Sequence, residues 1–213
     1  MGSVRFPISV SLDGYAAGPN QSVDDPLGEG GMHLHDWVFG LKFFRQMQGI
    51  GDDGETGVND DILRETFANV GATVMGRNMF GGGPGPWTEP SWNGWWGEDP
   101  PYHTDVFVLT HHAREPLKME GGTTFFFVTD GIEPAMRRAK ESAGDKDVIV
   151  AGGASIAQQA LAAGLVDEME LHVVPIVLGA GERLLDNVGA LRLEPIRLVE
   201  DGGIAHLKYK VLH

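Results

Sequence analysis

Short β-branched or aromatic runs, each closed by glycine or a turn residue, alternate along this chain with segments of helical period. Val148, Ile149 and Val150 form one such run without polar alternation, and Gly152-Gly153 follow at once, the pattern of a strand buried on both faces that breaks into a tight turn. A helix is expected next, with Ser155 as N-cap, Gln158 three residues on, Ile156, Ala157, Ala160 and Leu161 along one face, and Gly164 as its stop. Upstream, "RFPISVSLDGYAAGP" reads as a strand through Ile8, Val10 and Leu12 that enters a Gly/Ala/Pro loop, with Ser11 and Asp13 at its exit. "DWVFGLKFFRQM" sets Trp37, Leu41 and Phe44 at helical spacing beside Val38. It predicts a short helix whose apolar side enters the core or lines a pocket for a flat ring. Asn59 or Asp60 is expected to cap a helix carrying Ile62, Leu63, Phe67 and Val70, closed by Gly71. "ATVMGRNMF", "DVFVLTHHAR" and "TTFFFVTD" are further buried strands, and Asp130 with Glu133 makes a capping pair for a helix through Ile132, Ala135, Met136 and Ala139. The order of these segments up to Gly164 implies crossover units with parallel strands. "ALRLEPIRLVED" and "GIAHLKYKVLH", joined by Gly202-Gly203, predict a terminal hairpin at a sheet edge.

A strand, two glycines and a capped helix make an anion site, because free N–H groups and the positive end of the helix dipole point outward where no Cβ intervenes. Gly76-Arg77 repeats this logic at a second strand end, now with a guanidinium suited to phosphate. The competing readings are an ordinary turn for the glycines and a surface salt bridge for Arg77. The polar, glycine-rich "NQSVDDPLGEGGMHLH" is expected to be mobile, and "GIGDDGETGVND" to be a solvated acidic insertion. Gly81 to Pro101 holds four of the five tryptophans among glycines and prolines, so it covers something: its own core, a substrate pocket or a second subunit. The 213 residues suit one domain spanning 1–213. A formal charge of −14 disfavours nucleic acid, and the lack of cysteine removes thiolate chemistry and Cys-ligated zinc. No apolar stretch approaches a membrane span and the first residues lack a signal-peptide core, so a cytoplasmic protein without membrane contact is expected.

The segments "SLDGYAAGP", "VMGRNMF", "VLTHHAR", "VIVAGGASIAQQAL" and "LHVVPIVLGAGERLL", in this order, resemble the dihydrofolate-reductase superfamily. They look closest to the C-terminal reductase domain of the bacterial riboflavin-biosynthesis deaminase/reductase and its stand-alone relatives. The resemblance implies an α/β fold of three layers, with a mostly parallel sheet flanked by helices and a C-terminal antiparallel hairpin. It also implies NADPH bound across the strand ends and a homodimer. By matching position, Gly76, Arg77, Asn78 and Met79 would contact cofactor phosphates, and Thr110 and His111 would lie near the adenosine 2′-phosphate. Gly152, Gly153, Ala154, Ser155 and Ile156 would bind the pyrophosphate, and Ala17 would face the nicotinamide. The activity implied is NADPH-dependent reduction of a small pyrimidine- or pterin-like heterocycle, similar to 5-amino-6-(5-phosphoribosylamino)uracil reductase or dihydrofolate reductase.

Three features depart from that pattern. Tyr15 stands where the riboflavin enzymes commonly carry a basic residue, no deaminase module is present, and long inserts fall at Met32 to Asp61 and Gly81 to Pro101. Asp36, in "HDWVFGLKFFR", is the candidate proton relay or ring-nitrogen partner, with a plain helix cap as its other reading. Two other functions compete: a nucleotide-binding module without catalysis, and a metallohydrolase using His33, His35 and Asp36 of "HLHD".

Overall fold

The buried runs lie side by side in one sheet. In the computed structural model, which describes every residue except Met1, Pro84 and Pro90, eleven strands, six α-helices and two short 3-10 turns follow one another among the described residues. The chain starts with β1 (Val4–Ser11) and β2 (Tyr15–Ala17), passes through α1 (Asp36–Phe39), α2 (Lys42–Met47) and α3 (Val58–Phe67), and enters β3 (Val70–Gly76). Next come α4 (Arg77–Phe80), β4 (Asp105–Leu109), β5 (Leu117–Lys118), β6 (Thr124–Val128), α5 (Ile132–Ala143), β7 (Asp147–Gly152) and α6 (Ala154–Ala162). The chain ends with β8 (Glu168–Val174), β9 (Glu182–Arg183), β10 (Arg192–Asp201) and β11 (Ile204–Leu212). Nine strands form a sheet in the order β10-β11-β8-β1-β7-β3-β4-β6-β5, and β2 pairs with β9 beyond it. The strands from β8 to β6 all run parallel, while β11, β10 and β5 are antiparallel to their neighbours. The expected hairpin is therefore present at the edge, with a shift of register between Pro195 and Arg197.

Successive strand residues feed two cores because side chains alternate across a sheet. Val74 and Phe107 join the layer under α5 and α6, whereas Met75, Val106 and Val108 pack on the other side with Phe80 and Phe125. That second layer is closed by the tryptophan-rich segment: Trp87, Trp92 and Trp96 rest on it. Trp96 stacks on Phe125 at 6.0 Å, and Trp87 meets Phe127 edge-on at 5.0 Å. The insert contacts its own core, which leaves its two other readings, a substrate pocket and a second subunit, as they were; Pro84 and Pro90 within it lie outside the described residues.

Several expected helix ends are built differently. Ser155 is the second residue of α6 rather than its cap; Gly153 holds the cap position and no side chain bonds the first N–H groups. Gln158 instead donates to the Arg183 carbonyl at 2.7 Å. Likewise Gly131, not Asp130, precedes α5, because the Asp130 carboxylate is drawn to Arg138 at 2.9 Å. Asn59 and Asp60 lie inside α3, whose cap position is Gly57. Asp60 is buried and accepts the Phe43 N–H at 2.6 Å, so it fastens α3 to α2. Val70 and Gly71 belong to β3, not to the end of α3. The single helix expected from Asp36 onward is divided at Gly40-Leu41, where Gly40 and Lys42 exchange backbone bonds with Glu55. Leu12 lies past the end of β1 and is 68% exposed.

Candidate functional site

The carboxyl ends of β7, β3 and β4 are adjacent, since Met75 pairs with Gly152 and Gly76 with Leu109. The chain leaves β3 towards β4 but leaves β7 towards β8 on the opposite side, so the two glycine turns flank a point where the connections diverge. Such a divergence leaves a crevice outside the strand ends of α/β sheets. At Gly76 a Cβ would stand 2.8 Å from Ile156 Cγ1, so glycine is what lets α6 close on β3. Gly152 needs its glycine for another reason, a φ of 120°. Gly153 is exposed, with a φ of −78°, and a Cβ there would meet nothing within 4 Å. Its backbone thus faces open space beside the uncapped start of α6. Ala154 and Ile156 turn their side chains to the core, Ser155 is exposed, and the Ile156 N–H is used by Gly153 O at 3.2 Å.

Arg77 begins α4 at the exit of β3, with Asn78 exposed and Met79 half-buried beside Gly152. Among the described residues no carboxylate pairs with its guanidinium. Nη2 donates to the carbonyls of Gly82 at 3.1 Å and Gly83 at 2.9 Å, and the guanidinium carbon lies 3.1 Å from the centre of the Trp87 ring. Nε and Nη1 are buried and have no hydrogen-bond partner among the described residues. Burial, and then the nearby charge of Arg114, push the Arg77 pKa down to about 10. The surface-salt-bridge reading of Arg77 therefore fails on geometry. Thr110 is buried, its N–H on Val128 O at 2.9 Å and its hydroxyl oxygen accepting from the His112 N–H at 3.2 Å, while His111 is exposed. Trp87 Nε1 donates to His112 O at 2.9 Å, which ties the insert to the exit of β4.

At the end of β1 the Ser11 hydroxyl donates to Asp13 at 2.6 Å, and Asp13 accepts the N–H groups of Leu178 and Gly179 at 3.1 and 2.8 Å. Those bonds, the hydroxyl first, hold the Asp13 carboxyl down at about 2. The pair clamps the loop that delivers Ala17, which is buried in β2. The turn Gly31–His35 packs against this loop: a Cβ on Gly31 would stand 3.0 Å from Gly18 N and 3.8 Å from Ala17 C. Asp36 follows this turn, 60% exposed, its carboxylate 2.8 Å from His33 Nδ1 and not on any helix N–H, so it is not a cap. Among the described residues no three His, Asp or Glu side chains converge to hold a metal ion.

A family profile described as the RibD C-terminal domain matches residues 3–207. The chain belongs to that family. A 95-residue stretch is 32% identical to the uncharacterized protein YyaP of Bacillus subtilis strain 168, covering 43% of this chain and half of that protein. Solved structures similar in fold include a candidate riboflavin biosynthesis protein of Shewanella sp. PV-4, with a TM-score of 0.64 at 20% identity over 99% of both chains. The deaminase/5-amino-6-(5-phosphoribosylamino)uracil reductase of Thermotoga maritima aligns with 99% of this chain and 57% of its own, at 11% identity and a TM-score of 0.58. Enterococcus faecalis dihydrofolate reductase, complexed with NADP(H), aligns over 99% and 96% at 13% identity and a TM-score of 0.50. The fold of this RibD C-terminal domain family member is thus shared with dihydrofolate reductase and with the reductase-bearing chain of Thermotoga maritima.

Within this RibD C-terminal domain the structure also assembles a polar group that sequence patterning did not single out. Ser9, His172 and His206 are buried on one face of β1, β8 and β11. His206 Nε2 lies 2.7 Å from Asn59 Oδ1, and the Asn59 amide donates to Asp201 O at 3.4 Å. With Oδ1 accepting from Nε2–H, Nδ1 of His206 is bare and accepts from Nδ1–H of His172 at 2.8 Å. Trp37 covers both rings, 4.9 and 5.3 Å away, and its indole N–H donates to Ser9 at 3.0 Å. Thus α1, which carries Asp36, is seated on the sheet by a polar floor. Its only sequence trace is the alternation Glu168, Glu170, His172 along β8.

Proposed function

We propose that this protein is an NADPH-dependent reductase of a small pyrimidine- or pterin-like heterocycle, with residues 1–213 acting as one reductase domain. The observation that carries this reading is the open backbone at Gly153 and the uncapped start of α6, set beside an arginine with two buried unpartnered nitrogens. Both features fit an anion, and dinucleotide phosphates are the anions a sheet crevice of this kind accommodates. Gly152, Gly153 and Ser155 hold the pyrophosphate through backbone and the helix end, packed on Ala154 and Ile156. Arg77, Thr110 and His111 receive the 2′-phosphate, with Gly76, Asn78 and Met79 completing the wall. Ala17 borders the nicotinamide, and the bound cofactor supplies a hydride. Asp36, solvent-exposed and paired with His33, is suited to passing a proton from water to the ring, and Trp37 behind it offers an aromatic surface.

Calorimetric titration of the purified protein with NADPH and NADH is the test, followed by absorbance assays of NADPH oxidation with dihydropterins and ribosylaminouracils. Binding of NADPH with oxidation by one ring class is the expected result. Binding without oxidation by any ring would make this a nucleotide-binding module instead, and no binding of either nucleotide would refute the reading.

A further inference from the structure

The tryptophan-rich insert does more than close the second core layer, because it supplies every contact of the Arg77 guanidinium described above. Gly81, Gly82 and Gly83 have φ values of 83°, 80° and 75°, a left-handed run that side chains resist. A Cβ on Gly81 would strike the Trp95 ring at 2.6 Å, and one on Gly82 the Trp92 ring at 2.9 Å. The backbone therefore lies flat on two indoles and turns the carbonyls of Gly82 and Gly83 towards Arg77. Those carbonyls occupy the two protons of Nη2, leaving Nε and Nη1 empty, so each edge of the fork is half filled. Trp87 lies under the guanidinium, is anchored through His112 O, and has Arg114 4.8 Å from the same ring. Neutral carbonyls are weak partners for a half-buried cation, and a dianion with several oxygens is a strong one.

From this geometry we infer that Trp87 and the Gly82-Gly83 carbonyls form part of the anion subsite. Trp87 fixes the guanidinium plane, and the two carbonyls are placeholders that a phosphomonoester displaces. This rests on the nucleotide reading above and assigns to the insert the discrimination between NADPH and NADH. Trp87 is a positioning residue for Arg77, and its removal lets the guanidinium rotate away from the plane in which both edges of its fork can be filled. A stacked contact of this kind, when desolvated, is worth about three- to thirtyfold in affinity.

The experiment is calorimetry with NADPH and NADH on the wild type, Trp87→Leu and Trp87→Phe, with thermal melts of each. Trp87→Leu should weaken NADPH by about three- to thirtyfold and NADH by less than about twofold, and Trp87→Phe should recover most of the loss. Because Trp87 also packs on Phe80 and Phe127, the Phe variant keeps the test open if the Leu variant does not fold. In that event Trp87→Phe alone should lower the NADPH to NADH preference measurably. An unchanged preference in the folded variants overturns the inference while leaving the nucleotide reading intact. A wild type that binds neither nucleotide overturns both.

Discussion

Lowering the pH from 7 to 5 titrates a histidine in the unfolded chain, whose pKa is near 6.5, but should leave the His172–His206 pair neutral in the folded one. Burial, followed for His172 by the charges of His206, Arg197 and His35, pushes its pKa down to about 3. Burial and Arg197 lower His206 to about 4 against the opposing pull of Asp201. Both folded values lie below the unfolded one, so the unfolded state binds more protons below pH 6.5. Stability is therefore fully present above that pH and is lost as the pH falls towards 4. Integrating proton uptake from pH 7 to pH 5 gives about 2 kcal/mol for each histidine and about 4 kcal/mol for the pair at most. That is a large part of the stability of an ordinary domain. Urea denaturation at pH 7, 6 and 5 measures it, with His206→Gln as the control because an amide keeps a donor and an acceptor beside Asn59. The variant should lose about half of the pH dependence. Equal wild-type stability at pH 5 and 7, or an unaltered slope in His206→Gln, would show that the pair is not held neutral.

Gly153→Val should leave the protein folded, since a Cβ there has open space within 4 Å, yet abolish NADPH binding; unchanged calorimetric affinity would remove the pyrophosphate assignment. In contrast, Gly76→Ala should cost about 1–3 kcal/mol in denaturant melts by pressing on Ile156, and a variant as stable as wild type would contradict the close packing of α6 on β3. Arg77→Ala should weaken NADPH about ten- to a hundredfold and NADH much less. Equal weakening of both cofactors would move Arg77 to the pyrophosphate, and a wild type that favours NADH would cancel its 2′-phosphate role.

The strands were readable because a run such as Val148-Ile149-Val150, buried on both faces, leaves a signal that needs no partner to interpret. The glycines at their exits were readable for the same local reason. Helix caps were not, since several polar residues expected to cap found other partners: Asp130 bonds Arg138, Asp60 bonds Phe43 N, and Gln158 bonds Arg183 O. Glycines then took the cap positions. The polar floor escaped for a related reason. Ser9, Trp37, Asn59, His172 and His206 meet only after β8 and β11 have been laid beside β1, and no spacing along the chain encodes that. The partnership of Arg77 with Trp87 arises in a segment without period, where composition announced a cover but not what it would touch.

The two rims of the large sheet decide how molecules of this protein meet in concentrated solution. Leu193, Ile196 and Leu198 are exposed along β10, an outermost strand that could template another chain. Growth there is interrupted: Pro195 has no N–H to offer, and the register shift beside it twists the rim out of line. At the opposite rim β5 is only two residues long and ends in Lys118. Neither side can zip onto an identical neighbour for more than a few bonds, so the sheet can be rich in buried parallel strands without seeding fibrils.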